Sequence, residues 1–122
     1  MISEHDLGRW LEAYGSAWET KNPRAATPLF TEDAGYQKTP YDEPFRGRAE
    51  IADYWASVTA DQKGIDFSFE TIAVKDNTGV ALWSARFRTI STDAPVELNG
   101  VFILEFADAD HVSSLREWWH AR

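Results

Sequence analysis

Apolar and polar positions along the first twenty residues alternate with a helical period. Leu7, Trp10, Leu11, Tyr14, Ala17 and Trp18 fall on one stripe, which predicts an amphipathic helix over residues 3–20. Ser3 stands ready to cap it, and Glu4 and Asp6 occupy the first turn, where the helix dipole favours negative charge. Gly15 lowers the helix propensity of that stretch. In KNPRAATPLF, Asn22 as cap and Pro23 at the first helical position predict a second, short helix. Pro28 falls late in it and distorts its end, after which Leu29 and Phe30 turn inward. TEDAGYQK reads as a strand closed by the turn TPYDEP. Beyond Arg46-Gly47-Arg48, a third helix carries Ile51, Tyr54, Trp55 and Val58 on one face.

From about residue 64 the period shifts from helical to alternating. FSFETIAV, VALWSARFRTI, VELNGVFILEFA and HVSSLREWWH read as four strands, joined by the turn-forming links DNTG, STDAP and DAD. Short links between consecutive strands predict an antiparallel meander. The whole is an α+β domain: three helices, one early strand, then a four-stranded antiparallel sheet, in a single domain over residues 1–122. Ala81, Trp83, Ala85 and Phe87 share one face of their strand, and Leu98, Gly100, Phe102, Leu104 and Phe106 share one face of the next. These sets should face the helices. The opposite faces mix Leu82, Val101 and Ile103 with Arg86, Asn99 and Glu105, a pattern that suits a homodimer through the outer sheet face as well as a solvated surface.

Charge narrows the function classes. Twenty acidic against twelve basic side chains give a net charge of −8, with no basic stripe for nucleic acid or for an anionic membrane surface. The absence of cysteine excludes disulfides and thiolate chemistry. The stretch MISEHDLGRWLEAYG has charges where a secretory leader needs an apolar run, and no segment has the length of a membrane span. The expectation is a soluble, cytoplasmic protein. His5, His111 and His120 lack metal-ligand spacing, so neither a metal nor another cofactor is expected.

The order helix–helix–strand–helix–four strands resembles the nuclear transport factor 2-like superfamily, and within it the SnoaL-like proteins related to polyketide cyclases and ketosteroid isomerase. LFTEDAGY at 29–36, FRGRAEIADYW at 45–55 and LREWW at 115–119 carry the likeness. The resemblance implies a cone-shaped half-barrel, in which three N-terminal helices pack into a strongly bent, mostly antiparallel sheet around a conical pocket. An ungapped match to ketosteroid isomerase places that enzyme's catalytic tyrosine on Tyr14, its aspartate base on Lys38 and its protonated aspartate on Phe102. One functional position of three is kept, which speaks against steroid isomerisation by that mechanism. The limonene-epoxide hydrolase trio of two aspartates and an arginine has no inward counterpart. Arg86 would join such a site only with the strand phase reversed.

The same match puts Leu115, Glu117 and Trp119 on the pocket face of the terminal strand and Arg116, Trp118 and His120 outside. The wall implied for the pocket is Trp10, Trp18, Tyr36, Trp55, Trp83, Phe87, Phe102, Leu115 and Trp119. A carboxyl group in such surroundings loses water, its pKa rises, and it becomes fit for acid–base work near neutral pH. Glu117 and Tyr14 are therefore the candidate catalytic pair, Glu117 moving a proton and Tyr14 donating to a carbonyl or developing oxyanion. The plainer readings are a Glu117 paired with an inward arginine or lysine, or exposed at the pocket mouth, and a Tyr14 that is simply core. Lys38 reads as a solvated lysine at a strand end, or alternatively as an active amine. Three functions stand side by side. One is a cofactor-independent isomerase, cyclase or dehydratase acting on a small apolar carbonyl compound. The others are a non-catalytic pocket for such a molecule, and a dimeric interaction module whose cone is filled by Trp10, Trp18 and Trp83.

Overall fold

The computed structural model describes residues Met1–Arg122. Helix α1 spans Glu4–Glu19 and opens on a capping box: the Asp6 amide donates to the Ser3 hydroxyl and the Ser3 amide to the Asp6 carboxylate. Its buried stripe is the predicted one. Helix α2, Pro23–Ala26, is capped by Asn22, whose side-chain oxygen accepts from the amides of Arg24 and Ala25. Pro28 has no amide hydrogen to extend it, and the chain tightens into one 3-10 turn, Thr27–Leu29. Strand β1 is Phe30–Gln37, β2 the two residues Phe45–Arg46, and helix α3 Gly47–Thr59. Strands β3 (Gln62–Lys75), β4 (Thr78–Thr89), β5 (Pro95–Asp108) and β6 (His111–Ala121) complete the chain.

All six strands form one sheet in the order β2-β1-β6-β5-β4-β3. The meander β3 to β6 is antiparallel as expected. The early strand does not stand apart from it: β1 lies parallel to β6, with Tyr36 opposite Leu115 and Gln37 opposite Arg116. Two boundaries differ from the pattern reading. β2 is too short to carry an alternation. β3 begins at Gln62, ahead of the turn-like Lys63-Gly64, because Gly64 takes a positive φ of 63° at a register shift that lets the strand continue.

Register shifts also interrupt β3–β4 at Thr71/Ala73 and β5–β6 on either side of Phe106. Each extra residue bends its strand and increases the local twist. The sheet thus curls into the expected α+β half-barrel with the helices in its concavity. One consequence is visible in β6: Val112 and Leu115 are both buried although three positions apart, and from Leu115 the regular alternation resumes. The faces of β4 and β5 are as read from the sequence. Ala81, Trp83, Ala85 and Phe87 are buried against the helices, as are Phe102, Leu104 and Phe106.

Candidate functional site

The helices do not fill the cone. Between α1, α3 and the concave face of the sheet lies a cavity of ≈ 430 Å³, bordered by sixteen residues of which twelve are hydrophobic. Its chemistry comes from a few polar groups set among aromatic rings.

Tyr14 projects from the third turn of α1. Its ring is boxed by Trp10, Trp55 and Phe102, at centroid distances of 5.3, 5.2 and 5.3 Å, so the hydroxyl is held where the packing puts it. That hydroxyl lies 2.6 Å from the hydroxyl of Tyr36 on β1. One phenol donates to the other, and the pair keeps one proton that no protein acceptor takes up. Burial raises the pKa of both phenols well above the usual tyrosine value, and the nearby Glu117 raises them further.

Glu117 stands on β6 opposite Phe102 of β5. It is 6% exposed, yet neither a protein donor nor a cation pairs with its carboxyl. Loss of water alone pushes its pKa up to about 8. Both plainer readings of this residue therefore fail: it is neither ion-paired nor exposed at the mouth.

Around these three groups sit Tyr54 of α3, Gln62 of β3 and Lys38. Tyr54 also has its pKa raised, first by burial and then by Glu117. The Gln62 carbonyl accepts from the Trp18 indole at 2.8 Å, which leaves its amide hydrogens free. Lys38 follows β1 and is half-buried rather than solvated. Its carbonyl accepts from the Trp119 indole at 2.9 Å, and its ammonium lies 5.9 and 5.8 Å from the ring centres of Phe45 and Tyr54. No carboxylate pairs with it. The indole N–H groups of Trp55 and Trp83 are buried without a partner.

Of the residues expected at the site, Tyr14, Trp18, Tyr36, Trp55, Trp83, Phe87, Glu117 and Trp119 border the cavity. Trp10, Phe102 and Leu115 do not, and their placement on the wall is corrected. Trp10 turns its indole N–H to the Leu29 carbonyl at 2.9 Å and packs edge-on against Phe30 and Phe106. Phe102 lies beneath Trp83, stacked at 5.2 Å and 16°. Leu115 is fully buried opposite Leu104. All three face inward and are buried in the core without reaching the cavity. Lys38, Tyr54, Val58, Thr59, Gln62, Val96, Leu98 and Ala121 border the cavity and were not expected there. Tyr54 and Val58 carried a signal, since both lie on the inward face of α3. Gln62 was hidden in a stretch that reads as a loop, and Lys38 by its own polarity. No three His, Cys, Asp or Glu side chains converge in a way that would hold a metal ion.

The fold matches that of known proteins. The SnoaL-like domain family model matches residues 10–114, and the chain belongs to that family. Among solved structures, the epoxide hydrolase/cyclase-like enzyme SalBIII, described in pyran ring formation in the polyether salinomycin, superposes with a TM-score of 0.83 at 18% identity, covering 97% of this chain and 93% of its own. A protein of ketosteroid isomerase-like fold from Catenulispora acidiphila, in complex with trimethylamine, gives 0.78 at 16% identity over 89% and 83% of the two chains. A computationally designed 17-OHP binder gives 0.78 at 15% identity over 93% and 95%. At these identities the likeness establishes the fold. No curated protein matches the sequence.

Proposed function

We propose that the protein binds a small apolar carbonyl compound in the cavity and moves a proton on it, with Glu117 as the acid–base group and the Tyr14–Tyr36 pair as hydrogen-bond donor to the carbonyl oxygen. The observation that carries this reading is the unpartnered, buried carboxyl of Glu117 on an apolar wall beside a phenol pair with one unspent proton. A carboxyl with a pKa near 8 is within about one unit of neutrality, so its acid and base forms are both populated. As a base it would take a proton from the carbon beside the carbonyl. The phenol proton would stabilise the enolate oxygen that forms, and the same carboxyl would return the proton to another carbon. The cycle needs no cofactor, and as written it is an isomerisation; in a dehydration the carboxyl would give its proton to a leaving hydroxyl that departs as water, and in a cyclisation to the oxygen of a second carbonyl whose carbon the enolate has attacked. SalBIII and a ketosteroid isomerase-like fold among the structural neighbours are consistent with chemistry of this kind.

The test is solvent deuterium exchange into a panel of small apolar ketones, followed by NMR. Exchange beside the carbonyl is expected with the native protein and is expected to fall at least about a hundredfold in Glu117→Gln with the fold intact. Exchange that survives the substitution removes Glu117 from the chemistry. A second reading, non-catalytic binding of the same class of molecule, is favoured by Lys38 and Phe102, which stand where the isomerase resemblance calls for two aspartates. Binding of the ketones without exchange in either protein would establish it.

On the convex face the same proposal includes a second copy of the chain. Leu82, Val101 and Trp118 are cross-strand neighbours on β4, β5 and β6, and Leu82 and Trp118 are 43% and 40% exposed. Charges of both signs flank this row: Glu70 opposite Leu82, Arg116 against Trp118, and the Arg86–Glu97–Arg122 cluster. A two-fold axis through the row would set apolar on apolar and opposite charges against each other.

A further inference from the structure

The polar groups of the cavity are unevenly divided between donors and acceptors. The tyrosine pair has one O–H to spare, the Tyr54 hydroxyl makes no hydrogen bond, and the Gln62 amide has only its N–H side free. Lys38 adds an ammonium, which can only donate. Against these stands a single acid, Glu117, and its burial keeps it mostly neutral at about pH 7, so that it too offers a proton. The charges are just as lopsided. The chain carries −8, yet the one charge that borders the cavity at neutral pH is the positive one on Lys38.

Lys38 is also held in place. Its carbonyl is tied to the Trp119 indole, its side chain lies over the rings of Phe45 and Tyr54, and no ion pair joins it to Glu117 across the cavity. A half-buried ammonium with aromatic neighbours and no counter-ion is poorly solvated and gains from an anion brought to it. From this arrangement we infer that the preferred ligand is a flat aromatic monoanion, a ring system bearing a carboxylate that pairs with Lys38 while its rings lie among the tryptophans. The inference rests on the cavity being a binding site for small carbonyl compounds and narrows that class to its anionic members. It makes Lys38 the residue that sets specificity, at a position the resemblance assigns to a catalytic aspartate.

The experiment compares naphthoate with methyl naphthyl ketone, which has nearly the same shape and no charge, by titration calorimetry on the full chain. Naphthoate is expected to bind about tenfold tighter. The difference is expected to shrink as salt is raised, to collapse in Lys38→Met and to persist in Lys38→Arg. Equal affinities in the native protein, or a preference that survives in Lys38→Met, would overturn the inference. The ketone's own binding would still support the cavity as a site. Binding of neither compound would overturn both.

Discussion

Glu117 costs the fold something that can be read out directly. In the unfolded chain its carboxyl titrates near the ordinary 4.5, and in the folded chain near 8. Between those values the folded state holds one more proton than the unfolded state, so stability must fall as pH rises through that window. The slope is about 1.4 kcal/mol per pH unit. Below the window the contribution is fully present, and above it the loss is complete, on the order of 4–5 kcal/mol. Urea unfolding at a series of pH values is expected to show this decline in the native protein and a nearly level profile in Glu117→Gln. A decline of equal size in the variant would assign it to other groups. The aspartates whose pKa values are lowered, such as Asp61 and Asp93, are exposed and titrate below this range, so they leave the window clear. Glu117 was legible in the sequence because it interrupts an apolar strand face between Leu115 and Trp119, and Tyr14 because the resemblance to ketosteroid isomerase places that enzyme's tyrosine on it, within the apolar stripe of the first helix. Lys38 was not, because a lysine just past a strand reads as solvent-facing until the rings of Phe45 and Tyr54 are seen beneath it.

Among the elements, the pairing of β4 with β5 sets the shape of the cavity wall. Trp83 faces Gly100 across the ladder and its indole lies over the glycine. A Cβ at position 100 would come within 2.6 Å of both Trp83 Cε2 and the Trp118 carbonyl oxygen. The backbone contact cannot yield as a side-chain tip would, so Gly100→Ala is expected to destabilise by about 2–3 kcal/mol in urea unfolding. Gly8, inside α1, has nothing within 4 Å of a built Cβ. Gly8→Ala is expected to gain about 0.5–1 kcal/mol, from helix propensity alone. A neutral Gly100→Ala would mean that Trp83 is free to move, and with it the wall it forms. This contact also marks a limit of sequence reading. Alternation correctly put Trp83, Gly100 and Phe102 on the inner face. Which ring covers which residue depends on register, and register is set by bulges that leave no mark in the pattern. For that reason Phe102 was expected on the wall and lies beneath it.

At the scale of the whole molecule, the inner and outer faces of one sheet make separate predictions. The outer row of Leu82, Val101 and Trp118 is expected to hold two copies together. Sedimentation should then give the mass of two chains for the native protein and of one chain for Trp118→Lys. A native protein that sediments as a single chain at all concentrations would remove the dimer. No helix is long and apolar enough to cross a membrane.

The parallel pairing of β1 with β6 brings Gly35 beside Ser114 and Tyr36 beside Leu115, from opposite ends of the described chain. Everything between must be threaded before that ladder can close, and the entropy of closing so long a loop is spent before any contact repays it. The phenol pair can gather early, since α1 and β1 are close in sequence. Glu117 meets it only when the sixth strand arrives. Pulse-labelled hydrogen exchange during refolding should therefore protect the amides of the β3–β4 hairpin first and those joining β1 to β6 last. Simultaneous protection of both would contradict that order. During synthesis Glu117 is made after every other residue that borders the cavity except Trp119 and Ala121, so the acid proposed for the site reaches the phenol pair only in the last step.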